Sequence, residues 1–263
     1  MEQKFNIDLL IVTALPEEQK ALQTVFGGKW TKTIVDGIVF ENSTLQTANR
    51  TLSIVVATQL DMGMPHAAIT TTKAIKVYNP RLIVMTGICA GVEGKVELGD
   101  LVIASQIFDY GSGKLMNGKF YPHYTPVSPD PWLLELLESF NNSENLLSSI
   151  KSEFDGNKPK INLSIHLASM GTGAAVISDD NFVQELTNYD RKLYGIDMEA
   201  YAVALAARLC SNQKVNYPCF TLKGVVDFAG IHKNDIYHDY GAYVSSAYLK
   251  KFLCDEISSE IFE

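Results

Sequence analysis

The segment from Arg81 to Ser105 constrains the fold most strongly, because it contains two short apolar runs separated by a loop that is rich in glycine. The first run, Leu82–Met85, ends at Thr86-Gly87, and the second run is Leu101–Ala104. Apolar runs of this length, bounded by glycine, are typical of strands that are buried on both faces. The pattern therefore predicts a central sheet with the backbone amides of the loop at its rim, where open α/β sheets usually bind their ligands.

The composition is that of an ordinary globular protein, with 263 residues of which 46% are hydrophobic and 20% are charged. The net charge of −8 argues against nucleic-acid binding, which requires a basic surface. No apolar run reaches the roughly 18 residues that span a bilayer, and the sequence MEQKFNIDLLIV lacks the pattern of a signal peptide. We therefore expect a cytoplasmic protein with no membrane partner and no nucleic-acid partner.

The four cysteines are widely spaced and form no C-x-x-C motif; they are Cys89, Cys210, Cys219 and Cys254. This spacing argues against a disulfide framework and against a zinc knuckle. We expect reduced, mostly buried thiols, and neither a metal site nor a cofactor.

Strands and helices alternate along the rest of the chain. Buried strands are expected at Ile7–Thr13 and Tyr217–Val226, a helix starts near Pro16, and the most apolar helix is AYAVALAARLC, residues 200–210. Such alternation with glycine turns is typical of an α/β fold with a large mixed sheet flanked by helices. No linker stands out, so residues 1–263 are expected to form a single domain.

Several local expectations follow from the same patterns. Thr33–Leu45 is expected to be one strand, Phe108–Thr125 a loop or flap, and Asn141–Pro159 a surface insertion. Ile69 is expected to pack inward from the helix that follows Pro65. The glycine loop of the central segment is expected to begin directly after the first apolar run.

Three carboxylates lie where solvent-exposed charge is hard to explain. Glu18 closely follows the first buried strand, Glu199 lies in the first turn of the most apolar helix, and Asp227 lies where the last buried strand ends. A carboxylate in apolar surroundings needs hydrogen-bond donors or a ligand. Each of the three is interpreted either as part of a common cleft or as a helix cap or buried carboxylate satisfied by backbone N–H groups.

Two other positions are candidates for ligand contact. Gly63 lies in a turn from strand to helix, so its backbone amide could face a ligand. His66, at the start of that helix, is either a ligand contact or a histidine with a local hydrogen bond. Cys89 is either a nucleophile or a packing thiol, and no base is evident near it in the sequence.

Six motifs occur in a fixed order along the chain: IVTALPEE, DMGMPHAA, MTGICAGVEGKVELGD, SDDNFV, GIDMEAYAVA and KGVVDFA. As an ordered set they resemble the purine nucleoside phosphorylase and uridine phosphorylase superfamily. Within it they are most similar to the methylthioadenosine/S-adenosylhomocysteine nucleosidases. The resemblance runs from about Ile7 to Phe252. It implies the single-domain nucleoside phosphorylase fold and cleavage of the N-glycosidic bond of a nucleoside.

The resemblance also implies roles for individual residues. Glu18 matches the glutamate that activates water, Glu199 the glutamate that holds the ribose hydroxyls, and Asp227 the acid that protonates N7 of the purine. Because the leaving base needs a proton, the pKa of Asp227 is expected to be raised by burial and hydrogen bonding. The remaining matches are contacts to the substrate: Met198 to the sugar, Phe182 to the face of the base, and Val183 to adenine through its backbone.

The sequence departs from the family pattern at several positions. Val226 replaces the serine that precedes the catalytic aspartate, and Ile88 and Cys89 replace small residues at the floor of the site. In DMGMPHAA, His66 replaces a serine of the phosphorylases. The arginine that follows the first strand of the phosphorylases is missing, and Glu18 lies in that neighbourhood, so we favour water over phosphate as the attacking group.

The C-terminal sequence from Lys223 onward is similar to a family branch that serves as effector domains of bacterial anti-phage systems, which cleave adenine nucleotides including ATP. Lys223, His232 and Lys233 either meet substrate phosphates or are ordinary surface charges. The resemblance implies a homo-oligomer, either a dimer or a hexamer.

The leading hypothesis is therefore an N-ribosyl hydrolase that releases the base of purine nucleosides or nucleotides, adenine in particular. The alternatives are a phosphate-dependent purine nucleoside phosphorylase, a non-catalytic nucleotide sensor and a hydrolase that uses the Cys89 thiol.

Overall fold

The computed structural model describes residues 6–142, 145–230, 236–255 and 261–262. Within these ranges the chain forms eleven strands and seven helices. The strands are β1 (Ile7–Thr13), β2 (Thr31–Val35), β3 (Ile38–Gln46), β4 (Thr51–Thr58), β5 (Pro80–Gly91), β6 (Leu101–Asp109), β7 (Gly113–Met116), β8 (Lys119–Pro122), β9 (Ile165–Thr172), β10 (Leu193–Asp197) and β11 (Cys219–Phe228). The helices are α1 (Pro16–Phe26), α2 (Met64–Tyr78), α3 (Pro131–Asn141), α4 (Leu146–Ser152), α5 (Asp180–Tyr189), α6 (Ala200–Cys210) and α7 (His238–Cys254).

Within the described residues, nine of the strands form one mixed sheet in the order β10-β9-β6-β11-β5-β1-β4-β3-β2. The central strands β4, β1, β5 and β11 run parallel to one another, whereas β6 runs antiparallel to β11 and β3 antiparallel to β4. The end of β5 pairs a second time, with β10, through Gly91 and Gly195. Because β10 thereby contacts a central strand, the sheet curls back on itself. The expected α/β fold with a large mixed sheet and flanking helices is confirmed.

Helices cover both faces of the sheet. On one face α1 packs beside α7, and on the other α2 packs beside α6. Successive residues of β1 contribute to opposite cores, Leu9 and Ile11 to one and Leu10 and Val12 to the other. This alternation follows from the two-residue period of a strand. The central strands therefore read as continuous apolar runs, because both of their faces are buried.

The central segment differs from expectation in where its loop begins. β5 continues past Gly87 to Gly91, because it is paired with β1 on one side and β11 on the other. The expected single strand Thr33–Leu45 is also wrong, since β2 and β3 are separated by a turn at Asp36-Gly37. Both turn residues have positive φ, of 50° and 77°. This is the conformation that a two-residue hairpin requires and that an Asp-Gly pair favours.

Three further expectations are corrected. The loop expected at Phe108–Thr125 contains the exposed hairpin of β7 and β8, which turns at Asn117 and Gly118 with positive φ. The expected surface insertion Asn141–Pro159 contains α4, whose Leu146 and Ile150 are buried in a core. Ile69 is 56% exposed rather than packed inward, and Ile75 is the buried isoleucine of α2.

The four cysteines are free thiols, of which Cys89 is buried and Cys254 is exposed. Among the described residues, no helix is both long enough and apolar enough to span a membrane.

Candidate active site

A cleft of about 280 Å³ opens where the ends of β1, β5, β10 and β11 converge. The three carboxylates singled out in the sequence, Glu18, Glu199 and Asp227, all line it. Ile88, Cys89 and Met198 line it as well. Six of the ten predicted site residues therefore meet in one cleft, although they lie as much as 209 positions apart in the chain, from Glu18 to Asp227.

Glu18 is held by backbone amides. It lies in the first turn of α1 and is only 1% exposed, while its neighbour Glu17 points to solvent. Its Oε2 accepts hydrogen bonds from the amides of Ala14 (2.7 Å) and Leu15 (3.0 Å). Its Oε1 accepts a bond of 2.9 Å from the amide of Ile88 in β5. These three backbone hydrogen bonds fix the position of the Glu18 carboxyl group at the base of the cleft.

Gly87 makes room for this carboxylate. A Cβ atom at Gly87 would lie 2.0 Å from Oε1 of Glu18, and the φ of 147° disfavours any other residue. The glycine of the central segment thus lets a side chain, rather than a ligand, approach the backbone of β5.

Glu199 occupies the N-cap of α6 and is 4% exposed. Its Oε1 accepts a hydrogen bond of 2.8 Å from the amide of Gly63, at the start of α2. Burial raises the pKa of Glu199 to about 7; Lys223 opposes the rise, and the charge of Asp197 adds to it. A carboxyl group with such a pKa exchanges its proton in the neutral pH range. The Gly63 amide, considered as a ligand contact from the sequence, is directed at this carboxyl group.

Lys223 of β11 is the buried cation of the site, with 1% exposure. Its Nζ lies 3.9 Å from Oε1 of Glu18 and 3.7 Å from Oδ2 of Asp197, at the end of β10. Burial by itself lowers the pKa of this lysine, but the carboxylates of Glu18, Asp197 and Glu199 together raise it above its ordinary value. Lys223 is therefore charged, and its charge is balanced by carboxylates within the protein.

Asp197 is held from three sides. Oδ1 accepts a hydrogen bond of 2.7 Å from the hydroxyl of Thr172, and Oδ2 accepts one of 2.9 Å from the amide of Ala200 in the first turn of α6. The third partner is the ammonium of Lys223. Asp197 thus links β9, α6 and β11 at the wall of the cleft, which it also lines.

Asp227 reaches the cleft through a break in the regular pairing of β11. The register with β5 shifts between Val225, which faces Cys89, and Asp227, which faces Ala90. A bulge of this kind re-aims side chains, and as a result both Val226 and the adjacent Asp227 line the cleft. In a regular strand, two successive residues point to opposite faces. His238, at the start of α7, also lines the cleft, with Nδ1 3.2 Å from Oε1 of Glu17.

Cys89 is 4% exposed, and burial raises its pKa far above the ordinary value for a thiol. The thiolate is the nucleophilic form of cysteine, so this environment does not suit a thiol nucleophile.

Among the described residues, Phe182, Val183 and His66 do not line the cleft. Phe182 packs edge-on against Tyr110, with ring centroids 5.7 Å apart. Val183 lines a separate cavity of about 180 Å³ beside Phe228, and His66 is exposed near the start of α2. His232 and Lys233 lie outside the described residues.

Sequence reasoning missed part of the site. Lys223 was assigned either to substrate phosphates or to the surface, whereas it is buried against carboxylates, and Asp197 was not singled out. The signals were present, because Lys223 is the lone charge of the run Tyr217–Val226, and Asp197 lies at the end of a short extended segment. Across the described ranges, no three His, Cys, Asp or Glu side chains are grouped so as to hold a metal ion.

Comparison with known proteins identifies relatives over almost the whole chain. Residues 8–245 match the family model of the phosphorylase superfamily. The chain is 31% identical to uncharacterized protein y4jS of Sinorhizobium fredii, covering 91% of this chain and 59% of that protein. It is 25% identical to ATP nucleosidase Cap17 of Escherichia coli, covering 93% of this chain and 50% of that protein. The chain thus spans little more than half the length of these relatives.

Solved structures share the fold. A crystal structure of 5′-methylthioadenosine/S-adenosylhomocysteine nucleosidase from Helicobacter pylori superposes with a TM-score of 0.75 at 19% identity, covering 95% of this chain and 99% of that one.

Proposed function

Because the chain belongs to the phosphorylase superfamily, we propose that it is an N-ribosyl hydrolase of purine nucleosides or nucleotides, with adenine as the preferred base. Water would cleave the N-glycosidic bond and release the free base. The observation that carries this proposal is the convergence of Glu18, Glu199 and Asp227 on one cleft from three separate elements. Departure of a purine leaves an oxocarbenium-like sugar, and carboxylates are the groups that assist such a reaction.

Asp227 is the proposed general acid. A purine leaves more readily when its N7 is protonated, and a carboxylic acid at the rim of the cleft can deliver that proton. The bulge at Val226 directs the Asp227 side chain into the cleft, as this role requires.

Glu199 is the proposed partner of the ribose hydroxyls, with Met198 beside the sugar. In its ionised form it would stabilise the positive charge that develops on the sugar. Since its pKa is about 7, we expect base release to become faster as the pH rises through neutrality.

Glu18 is the proposed base that takes a proton from the attacking water. The ammonium of Lys223 lies beside it, with Nζ 3.9 Å from Oε1. Phosphate is a poorer candidate for the attacking group, because the ammonium of Lys223 is already paired with Glu18 and Asp197 and the neighbouring carboxylates repel an anion. This arrangement favours hydrolysis over phosphorolysis.

The base is proposed to lie toward α5. The segment 175–177, which precedes this helix, lines the cleft. Phe182 would then stack on the base and Val183 would pair with it, once this segment closes over the ligand. Ile88 and Cys89 would form the floor beneath the substrate, and Gly63 and His66 would lie on the side of the sugar.

The relatives bear on the choice of substrate. One curated relative is named an ATP nucleosidase, which supports adenine nucleotides as substrates of this chain. A role in anti-phage defence is proposed from the resemblance of the sequence from Lys223 onward. The H. pylori enzyme is named for nucleosides that carry a 5′ thioether. The proposal includes a cytoplasmic location and a homo-oligomeric state, either dimer or hexamer.

The direct test is chromatographic detection of free base. Methylthioadenosine, adenosine, AMP, ATP and inosine are each offered to the protein, with and without inorganic phosphate. We expect adenine release without phosphate from at least one adenine compound. A strict requirement for phosphate would establish the phosphorylase alternative instead.

A non-catalytic nucleotide sensor is the second candidate function, motivated by the unusual Val226 and Ile88 in the lining of the cleft. Calorimetric binding of adenosine or ATP without any base release would support it, and turnover would exclude it.

A further inference from the structure

The cleft holds more buried negative charge than buried positive charge. Glu18, Asp197 and Glu199 are all at least 93% buried, and Lys223 is the ammonium that they share. If all three carboxylates were ionised, this cluster would carry two uncompensated negative charges in a medium of low dielectric constant. Such charge is strongly unfavourable, so the carboxyl group with the weakest stabilisation takes up a proton.

The hydrogen bonds differ between the three carboxylates. Glu18 accepts three backbone N–H bonds and pairs with Lys223. Asp197 accepts bonds from the Thr172 hydroxyl and a backbone amide, and pairs with the same ammonium. Within the described part of the chain, Glu199 accepts one hydrogen bond, from Gly63.

We propose that Asp197 is a positioning residue of the site: by sharing the Lys223 ammonium with Glu18, it leaves Glu199 as the carboxyl group of the cluster that exchanges its proton. The inference deepens the proposed function and rests on it for the consequence in catalysis. Because the charge of Asp197 repels the ionised form of Glu199, Asp197 sets the pH at which Glu199 can stabilise a cationic sugar.

Other groups that face Glu199 belong to several elements. The titratable and charged side chains that line the cleft or act on the pKa of Glu199 are Glu18 from α1, Cys89 from β5, Asp197 from β10, Lys223 and Asp227 from β11, and His238 from α7. Asp197 is the negative charge that acts most strongly on Glu199. A change at Asp197 is therefore expected to move the titration of Glu199 while Glu18, Glu199 and Asp227 themselves are kept.

The test is the pH profile of kcat/KM for base release in the wild-type protein and in Asp197→Asn. We expect the acidic limb of the profile to move to lower pH by about 0.5–1 unit in Asp197→Asn, because a like charge is removed and the ammonium is released toward Glu199. The matched control is Asp190→Asn, since Asp190 is buried to the same degree, 8% exposed against 7%, but lies before β10 rather than at its end. An unchanged limb in Asp197→Asn would overturn the proposal.

A second variant keeps the proposal testable if Asp197→Asn does not fold. Thr172→Val removes one donor from Asp197 while keeping the shape of the side chain. Without that hydroxyl, Asp197 is held less firmly beside Lys223 and Glu199, so its charge acts less strongly on Glu199 and we expect a smaller shift of the limb in the same direction. A shift to higher pH would contradict the proposed role.

Carboxyl titration separates this inference from the proposed activity. Carbon-13 NMR of protein labelled on glutamate side chains gives the titration of Glu199 directly, with Glu199→Gln to assign its signal. We expect the Glu199 midpoint to fall by about 0.5–1 pH unit in Asp197→Asn, even if no base is released by any variant. Absence of turnover with this shift present would reject the proposed function alone, whereas an unmoved midpoint would reject the role of Asp197.

Discussion

At the scale of single residues, Asp227 is expected to contribute most to the rate of base release. Asp227→Asn keeps the size of the side chain but removes the proton that the leaving base needs. We expect a fall in kcat of about 10²–10⁴-fold with little change in substrate affinity. Steady-state kinetics together with calorimetric binding measure both quantities. Asp190→Asn is again the control and should keep its activity, and near-normal kcat in Asp227→Asn would remove this residue from the mechanism.

A second prediction concerns the effect of Glu199 on the free energy of unfolding. Its pKa rises from an ordinary value of 4.5 to about 7 in the folded protein, so folding favours its protonated form. The stabilisation is complete below pH 4.5 and is lost as the pH rises through 7. Glu199→Gln cannot ionise, so at pH 8.5 it should unfold with a free energy about 1–3 kcal/mol higher than the wild-type protein.

Urea unfolding at two pH values measures this difference. At pH 4 the two proteins should be closely similar in stability, because Glu199 is then mostly protonated in both the folded and the unfolded state. A difference of equal size at both pH values would show that the effect is one of packing and not of ionisation.

At the same scale, the sequence identified the three carboxylates but not the buried cation that balances their charge. Glu18, Glu199 and Asp227 stand out locally, because charge in an apolar neighbourhood is visible in the sequence alone. The partner of Glu18 is Lys223, more than 200 positions away, and only the pairing of β11 with β5 brings them together. Long-range contacts of this kind are not encoded in local periodicity, which explains why Lys223 was assigned to phosphates or to the surface.

At the scale of elements, we expect the contact of α7 with β11 to set the position of Asp227. A Cβ atom at Gly241 in α7 would lie 2.3 Å from Cγ1 of Val226, the residue at the bulge. Gly241→Ala should therefore push the bulge away, destabilise the fold by about 1–3 kcal/mol and lower the rate of base release.

Val226→Ala removes the atom that meets the new methyl group and supplies the control. The double variant Gly241→Ala with Val226→Ala should recover part of both losses, since the two changes act on the same contact. Unfolding and kinetic measurements on the four proteins complete the cycle. Strictly additive effects would mean that this contact does not set the position of Asp227.

The helices and hairpins also show which local sequence signals are sufficient to predict an element. The helices that begin near Pro16 and Pro131 and the closing helix were predictable, because proline at the start and apolar spacing mark them. Two hairpins were missed although Asp36-Gly37 and Asn117-Gly118 are strong turn signals. The bulge at Val226 has no such signal, because it depends on a difference in length between two strands that meet only in the folded sheet.

At the scale of the whole molecule, the strand order of the sheet brings the site residues together. β11 lies between β5 and β6, although it follows both by more than 100 residues, and β10 folds back onto the end of β5. The fold class followed from alternating strands and helices, whereas this strand order could not, since many orders are compatible with one alternation. The order brings Glu18, Glu199 and Asp227 to one cleft, and the proposed hydrolysis depends on that meeting.

The central claim is that water, and not phosphate, attacks the sugar. The most direct measurement is the rate of adenine release from the best substrate as inorganic phosphate is raised from zero, with analysis of the sugar product. The account predicts a rate that is already maximal without phosphate and a free sugar, or its 5′-substituted form, as the product. A rate that rises from zero with phosphate, together with a sugar 1-phosphate product, would contradict it.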